Sequence, residues 1–141
     1  MAEMVGARAI LLSAGLGTRM RPLTETRPKP LVEVKGKALI DYGLGKLLAA
    51  GVERVVVNVH HFPEQIEAWA KRQSEPTIEI SDERAELLNT GGGIAFALPR
   101  LGPDPFFVVN SDSIWIDGKT PGLSRLRAAW RDETMDCLLL L

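Results

Sequence analysis

Residues 10–30, which read ILLSAGLGTRMRPLTETRPKP, join an apolar run to a loop that contains glycine. The apolar run predicts a buried strand over 8–13, because a short continuous run that ends at a turn is typical of a parallel sheet. The loop that follows is built from small residues and ends with a hydroxyl and a cation. Backbone N–H groups in such a loop can approach an anion, since Gly15 and Gly17 have no Cβ to obstruct it.

A second basic segment, RPKP at residues 27–30, follows this loop. Each proline fixes its own φ and disfavours the helical conformation for the residue before it, so Lys29 is expected in a stiff, non-helical segment. The loop amides, together with the cations Arg19 and Lys29, suit a polyphosphate. An ordinary strand-to-loop turn with solvated basic residues is the alternative that the glycines alone leave open.

The spacing of the glycines excludes two common phosphate-binding motifs. A Walker loop, G-x-x-x-x-G-K-[ST], has no match in the chain. A dinucleotide fingerprint, G-x-G-x-x-G, begins correctly at Gly15 and Gly17 but fails at Met20. If the loop binds phosphate, it therefore belongs to another class of glycine loop.

The composition is that of a globular protein with one domain. Of the 141 residues, 45% are hydrophobic and 25% are charged, which is sufficient for a core. The formal net charge of −1 provides no basic field for nucleic acid, and no apolar stretch approaches the ~20 residues needed to cross a bilayer. The single cysteine, Cys137, excludes an internal disulfide and fits a reducing compartment. Because residues 1–12 do not resemble a signal peptide, we expect a cytoplasmic protein that binds neither nucleic acid nor membrane.

Strands and helices are predicted to alternate along the chain. Apolar runs predict buried strands over 54–59 and 106–109, and alternation predicts a short strand over 77–80. A short extended piece is expected over 31–34, and a last strand from Leu138. Helices are expected over 39–50, from Pro63 with Ile66, Trp69 and Ala70 facing inward, after an N-cap at Thr90, and around Leu123, Leu126 and Trp130. This order predicts an α/β fold with a mainly parallel sheet.

Polar residues follow three of the predicted strands, at the point where each strand ends. In a parallel α/β sheet these carboxyl ends share one edge, and ligands bind beyond that edge. The glycine loop follows the first strand. The other polar residues brought to this edge are Asn58, His60 and His61 after the second long strand, and Asn110, Ser111 and Asp112 after the strand 106–109.

Asp112 is a candidate ligand for a hard cation. A carboxylate just past an apolar strand is often only a turn former or a helix N-cap, and that alternative stays open. Mg²⁺ in phosphoryl-transfer sites is usually held by one or two carboxylates and by substrate phosphates. A phosphate loop on a nearby strand therefore favours the metal interpretation. Asp117, in an Ile-Asp-Gly turn, is a weaker candidate.

Two further groups of residues leave alternatives open. Adjacent histidines on a strand point to opposite faces, so His60 and His61 are expected to hydrogen-bond neighbouring loops rather than to form one pocket. The TGGG segment at residues 90–93 forms either a loose helix N-cap or a surface on which a base or ribose lies flat. Glu83 is a candidate for an edge hydrogen bond to that base, or else part of a solvated charge run over 82–84.

The sequence G-x-G-T-R followed by K-P resembles the signature of the sugar-phosphate nucleotidyltransferases, which join a nucleoside triphosphate to a sugar 1-phosphate. The resemblance extends from Ala9 to about Asp117 and includes T-G-G at 90–92 and N-S-D at 110–112. It implies a Rossmann-like three-layer sandwich of the nucleotide-diphospho-sugar transferase type, in which residues 1–141 form the nucleotide-binding part of a single domain. The apolar run that ends the chain favours the same view, a C-terminally truncated enzyme. The second metal aspartate and most of the sugar pocket are then expected C-terminal to this chain.

The resemblance also implies a role for individual residues. The loop is expected to wrap the triphosphate, with an arginine and a lysine as the catalytic cations, and an aspartate is expected to bind Mg²⁺. The nucleotide-binding residues implied in this way are Ala14, Gly15, Gly17, Thr18, Arg19, Lys29, Glu83, Thr90, Gly91 and Asn110, the catalytic residues are Arg19 and Lys29, and the metal ligand is Asp112.

Within this family the chain is most similar to the uridylyltransferases that act on N-acetylmuramate 1-phosphate in cell wall recycling. The expected substrates are therefore UTP and that sugar 1-phosphate, and the expected products are an NDP-sugar and pyrophosphate. A guanylyltransferase acting on mannose 1-phosphate and a non-catalytic nucleotide sensor are the alternatives. Asn89 departs from the subfamily pattern, which has Glu directly before T-G-G. No oligomeric state is predicted.

Overall fold

The structure, a computed structural model, describes residues 5–141. Of residues 1–12, over which no signal peptide is predicted, the first four lie outside the described part. None of the helices in the described part has the length and apolar character needed to cross a bilayer. The strands are β1 (Arg8–Leu12), β2 (Glu33–Val34), β3 (Lys37–Ala38), β4 (Arg54–Val59), β5 (Thr77–Asp82) and β6 (Phe107–Asn110). The α-helices are α1 (Leu39–Ala49), α2 (Pro63–Lys71), α3 (Asn89–Leu101) and α4 (Gly122–Ala129).

Four of the strands form one parallel sheet in the order β5-β4-β1-β6. From β1 the chain proceeds through α1 to β4 and then to β5 on one side. It then returns through α3 and places β6 on the other side of β1. Such a reversal of strand order opens a crevice at the carboxyl ends of the two strands that flank it, here β1 and β6. The predicted α/β class with a parallel sheet is confirmed.

Helices cover both faces of this sheet. On one face, α1, α2 and α4 pack on the strands through residues such as Leu44, Ile66 and Leu123. On the other face, α3 packs against β1 and β4 through Ala97 and Leu101. The two central strands are therefore buried on both sides, which explains why they read as continuous apolar runs. The arrangement confirms the predicted three-layer sandwich.

The last sheet strand and the helix before it differ from the prediction. Helix α3 begins at Asn89, so Thr90 is not its N-cap but lies in the first turn. Strand β6 begins one residue later than predicted, and Val108 is 47% exposed. The expectation of a strand buried on both faces is wrong here, because β6 is at the edge of the described sheet and α3 lies over the other three strands.

The strand predicted from Leu138 is also wrong. Residues 136–141 have no regular secondary structure, and Leu139 is 72% exposed. The Cδ2 atom of Leu140 lies only 2.7 Å from the place that a Cβ on Gly122 would occupy, at the start of α4. The segment therefore contacts α4 instead of pairing with the sheet. An apolar run becomes a strand only when its backbone finds a partner to bond with.

Candidate active site

A cleft of about 480 Å³ lies at the carboxyl ends of β1 and β6, where the strand order reverses. Its walls are the loop after β1, the segment after β6 and the first turn of α3. The structure thus brings together residues from three distant parts of the chain. The predicted site residues that line the cleft are Ala14, Gly15, Gly17, Thr18, Arg19, Lys29, Thr90, Asn110 and Asp112, whereas Glu83 and Gly91 do not line it.

The loop after β1 presents free backbone donors to this cleft. In the described part of the chain, the amides of residues 14–19 donate no hydrogen bond to another protein atom. No atom lies within 4 Å of the position that a Cβ on Gly15 would take, so the backbone there is open. Gly17 adopts a left-handed conformation with φ of +64°. A run of unpaired N–H groups around such a residue forms an anion-binding concavity.

Two cations flank the loop. Arg19 is exposed and makes no ion pair among residues 5–141. Lys29 begins the 3₁₀ turn Lys29–Leu31, so the stiff segment predicted around it contains one helical turn rather than none. The ammonium group of Lys29 pairs with the carboxylate of Asp112. Lys29 and Asp112 line the same cleft as Gly15, at the carboxyl-end edge of the sheet. A phosphate site requires this arrangement.

Asp112 is placed to hold a cation. Asp112 lies in a turn that the N–H of Ser113 closes onto the carbonyl oxygen of Asn110 at 3.2 Å, as the turn alternative predicts. No backbone N–H within residues 5–141 donates to its carboxylate, so the side chain caps no helix and is available to a ligand. The described residues contain no group of three or more His, Cys, Asp or Glu side chains that could bind a metal alone. One carboxylate beside a phosphate loop nevertheless fits Mg²⁺, because this ion is usually bound by one or two carboxylates together with substrate phosphates and water. In this structure the carboxylate is paired with the ammonium of Lys29.

Asp117 has a structural role instead. Its Oδ1 accepts a hydrogen bond from the backbone N–H of Gly122, the first residue of α4, at 2.8 Å. Its Oδ2 accepts one from Nζ of Lys46 at 2.6 Å. The Gly122 amide first, and then the Lys46 ammonium, hold the pKa of the Asp117 carboxyl below its ordinary value. Asp117 therefore fastens the segment before α4 to the first residue of that helix and to α1, and the predicted Ile-Asp-Gly turn at 116–118 is not formed.

Glu83 lies beneath the cleft and not in it. Its side chain is buried, with Oε2 accepting from Nδ2 of Asn58 at 2.7 Å and Oε1 accepting from the N–H of Leu88 at 3.0 Å. The Oδ1 atom of Asn58 in turn accepts from the N–H of Ser13 at 2.6 Å. Because Glu83 is buried and engaged in these bonds, the predicted contact with a base and the alternative of a solvated charge are both wrong. The Asn58–Glu83 pair instead connects the beginning of the glycine loop to the beginning of α3.

The glycines at the start of α3 have a packing role that sequence reasoning missed. A Cβ on Gly93 would lie 2.9 Å from both Nδ2 of Asn58 and Oε2 of Glu83. Gly93 therefore lets α3 approach the buried Asn58–Glu83 pair. Gly91 is exposed, and a Cβ there would meet nothing within 4 Å. Within the TGGG segment at residues 90–93, only Thr90 lines the cleft.

We expect Gly93→Ala to lower the free energy of unfolding by about 1–3 kcal/mol relative to Gly91→Ala. Both changes add one methyl group within the first five residues of α3 and gain about the same helix propensity. Only the methyl group at residue 93 meets a buried hydrogen-bonded pair. Urea denaturation of the two variants measures the difference. Equal stabilities would contradict the packing role of Gly93.

The two histidines contact different loops, as predicted. Nδ1 of His60 lies 2.7 Å from the carbonyl oxygen of Glu83, and Nε2 of His61 lies 2.9 Å from that of Thr24. Because a carbonyl oxygen only accepts, the proton of each bond resides on the histidine nitrogen. Neither ring lines the cleft. The histidines thus fix the loops around the site.

The fold and this cleft define a class of protein: an α/β protein whose loop after β1 presents free backbone amides to a cleft that the carboxylate after β6, Asp112, also lines. Residues 8–138 match the family described as nucleotidyl transferase. The chain belongs to this family, and the resemblance drawn from its motifs is confirmed.

Curated relatives of the chain include two kinds of nucleotidyltransferase. The chain is 54% identical over 137 residues to the N-acetylmuramate alpha-1-phosphate uridylyltransferase of Caulobacter vibrioides, covering 94% of this chain and 57% of that protein. It is 46% identical to the enzyme of the same name from Neisseria meningitidis serogroup B, covering 74% of this chain and 46% of the relative. The mannose-1-phosphate guanyltransferase of Schizosaccharomyces pombe is 44% identical, covering 76% of this chain and 31% of that protein. The chain thus spans about half the length of the first two relatives.

Solved structures confirm the fold. UDP-glucose pyrophosphorylase complexed with UDP-glucose superposes with a TM-score of 0.81 at 20% identity, covering 92% of this chain and 55% of that one. The UDP-glucose pyrophosphorylase of Acinetobacter baumannii gives a TM-score of 0.78 at 22% identity, covering 89% of this chain and 54% of that one. At these identities the likeness concerns the fold alone.

Proposed function

We propose that the protein is a sugar-1-phosphate nucleotidyltransferase that joins UTP to N-acetylmuramate 1-phosphate and releases pyrophosphate. The observation that carries the reaction class is the single cleft that holds the free amides of residues 14–19, Arg19 and the Lys29–Asp112 pair. The choice of substrates is supported by the two uridylyltransferases that are 54% and 46% identical to this chain. A cytoplasmic enzyme of cell wall recycling is consistent with these substrates.

The reaction is an in-line displacement at phosphorus. A phosphate oxygen of the sugar 1-phosphate attacks the α-phosphorus of the nucleoside triphosphate. The bond from that phosphorus to the oxygen bridging to the β-phosphate breaks, and pyrophosphate leaves with the electron pair. Because the attacking phosphate is already an anion, no general base is required. The cleft accordingly contains no histidine–carboxylate pair among the described residues.

The residues of the cleft act by positioning and electrostatics. In this proposal the amides of residues 14–19, together with Arg19 and Lys29, bind the phosphate tail. They offset the charge that grows on the phosphoryl oxygens and on the leaving pyrophosphate. Thr90 and Asn110 line the other walls of the cleft, and in this proposal they contact the nucleoside. Asp112 is the residue that would hold Mg²⁺, and the ion supplies Lewis-acid stabilisation of phosphoryl oxygens when it is bound.

A guanylyltransferase that acts on mannose 1-phosphate is the second candidate. It is favoured by the 44% identity to the mannose-1-phosphate guanyltransferase of Schizosaccharomyces pombe. Asn89 lines the cleft at the point where the muramate-type pattern has Glu, and it is the residue most directly relevant to the choice of base. The phosphate chemistry is the same for both candidates, since the loop and the cations contact only the shared part of the substrate.

We expect the full-length product of the reading frame to release pyrophosphate fastest with UTP and N-acetylmuramate 1-phosphate in the presence of Mg²⁺. The measurement is kcat/KM over a grid of UTP, GTP, CTP and dTTP with N-acetylmuramate 1-phosphate, mannose 1-phosphate and glucose 1-phosphate. The highest value with GTP and mannose 1-phosphate would establish the second candidate instead. A thermal shift with UTP but no turnover with any pair would indicate a nucleotide sensor. If the protein showed no turnover with any pair and no thermal shift with any triphosphate, the result would contradict nucleotide chemistry altogether.

A further inference from the structure

Thr24 is a buried residue in an otherwise exposed loop. Its exposed fraction is 2%, whereas Leu23 and Glu25 on either side are exposed. Its hydroxyl Oγ1 donates a hydrogen bond to the carbonyl oxygen of Gly17 at 2.7 Å. Its Cγ2 lies 2.8 Å from the place that a Cβ on Gly17 would occupy. Thr24 thus holds Gly17 by its hydroxyl, and its methyl group fills the space that a side chain at residue 17 would need, although Thr24 does not itself line the cleft.

Thr24 is in turn attached to the sheet. Nε2–H of His61 donates to the carbonyl oxygen of Thr24 at 2.9 Å. His61 follows β4, whose last five residues are buried, so the ring extends from the rigid core. A second bond, from Nε2 of Gln65 in α2 to the carbonyl oxygen of Thr26 at 2.9 Å, holds the same loop. A continuous series of contacts therefore leads from β4 through His61 and Thr24 to the glycine loop.

The bond from Thr24 determines how one amide of the loop points. The carbonyl oxygen of Gly17 accepts from Oγ1 of Thr24 at 2.7 Å and from the N–H of Met20 at 3.0 Å. In a planar trans peptide the C=O and the following N–H point in opposite directions. The N–H of Thr18 is therefore directed away from Thr24, and it donates to no protein atom in the described part of the chain. Thr18 itself lines the cleft.

We infer that Thr24, held by His61, is a positioning residue that keeps the glycine loop in the conformation that receives a pyrophosphate group. The inference rests on the proposed function, and it specifies that the contact between Thr24 and Gly17 affects binding of the pyrophosphate part of the nucleotide. Thr24 acts through Gly17 and not by touching the ligand. Losing its hydroxyl leaves the Gly17–Thr18 peptide less constrained, so the cost falls on ligands that carry the β- and γ-phosphates.

The test compares Thr24→Val with Thr24→Ser. Valine keeps the branched shape and the buried methyl group but has no hydroxyl, whereas serine keeps the hydroxyl. Isothermal titration of each protein with Mg²⁺–UTP, with inorganic pyrophosphate and with UMP gives three dissociation constants. For Thr24→Val we expect about tenfold weaker binding of UTP and of pyrophosphate, as for the loss of one buried hydrogen bond, with UMP binding unchanged. For Thr24→Ser we expect wild-type affinity for all three.

A merely structural role of Thr24 predicts a different result. Equal weakening of UTP and UMP binding, or a lower melting temperature with unchanged UTP affinity, would overturn the inference. His61→Phe retains a ring without the donor and provides a second variant if Thr24→Val does not fold. The His61→Phe variant is expected to bind UTP and pyrophosphate more weakly but to bind UMP with wild-type affinity. Unchanged UTP affinity in this variant would also overturn the inference. Failure of the wild-type protein to bind UTP would instead reject the proposed function.

Discussion

Replacing Arg19 with alanine is expected to lower kcat for pyrophosphate release by about 10²–10³, by analogy with the loss of one donor to a developing anion. Arg19 lines the cleft, is exposed, and makes no ion pair within residues 5–141. Its removal therefore takes a cation from the proposed phosphate site without breaking an ion pair of the described residues. The melting temperature should remain that of the wild type.

Arg21→Ala is the matched control for this prediction. Arg21 carries the same charge two residues further along the loop, is also exposed, and does not line the cleft. The two variants have the same net charge, so a general electrostatic effect would appear in both. We expect wild-type kcat for Arg21→Ala within about threefold. Equal losses in the two variants, or unchanged turnover in Arg19→Ala, would exclude Arg19 from the mechanism.

Replacing Asp112 with asparagine should also lower kcat by about 10²–10³, and it should raise the Mg²⁺ concentration that gives half-maximal rate. Asparagine keeps the shape of the side chain but removes the negative charge that would hold the ion. The Lys29–Asp112 pair is about one-third exposed, with side chains that are 30% and 35% accessible. Such a pair contributes about 0–1 kcal/mol to stability, so the variant should remain folded.

Binding without metal separates the role of Asp112 from a general defect. In the absence of Mg²⁺, Asp112→Asn is expected to bind UTP at least as tightly as the wild type does. The carboxylate no longer repels the phosphates, and the ammonium of Lys29 is no longer paired with it. Asp136→Asn, an exposed carboxylate outside the cleft, is the control and should leave both properties unchanged. An unaltered Mg²⁺ requirement in Asp112→Asn would reject its role as a metal ligand.

Most of the strands and the position of the loop after β1 could be predicted because their signals are local. The run over 54–59 is apolar and β-branched, and it forms β4 with the same bounds. The loop that contains Gly15 and Gly17 follows directly from a buried strand, so its position at the sheet edge needs only the parallel topology. The same topology places Asp112 at that edge. These features depend on residue type and spacing, both of which a sequence displays.

The errors arose where distant parts of the chain decide the structure. Glu83 and Asn58 are 25 residues apart in the sequence, and their buried side chains form a hydrogen bond. No local sequence pattern predicts this bond. Glycine is required at residue 93 because the Asn58–Glu83 pair leaves no room for a Cβ there. The leucines over 138–141 have the composition of a strand, yet they find no strand to pair with in the described sheet. Tertiary contacts, and not propensity, determined each of these outcomes.

Backbone amide chemical shifts during a titration with Mg²⁺–UTP test the central claim most directly. The claim is that the free amides of residues 14–19 receive the phosphate tail of a nucleotide. In a ¹⁵N-labelled protein of 15.4 kDa, the largest shift changes should then occur at residues 14–19, with smaller ones at 110–112. A second groove lies between α2 and β5 and is lined by residues such as Lys71 and Ile78. Changes confined to that groove, or no saturable change at residues 14–19, would contradict the account.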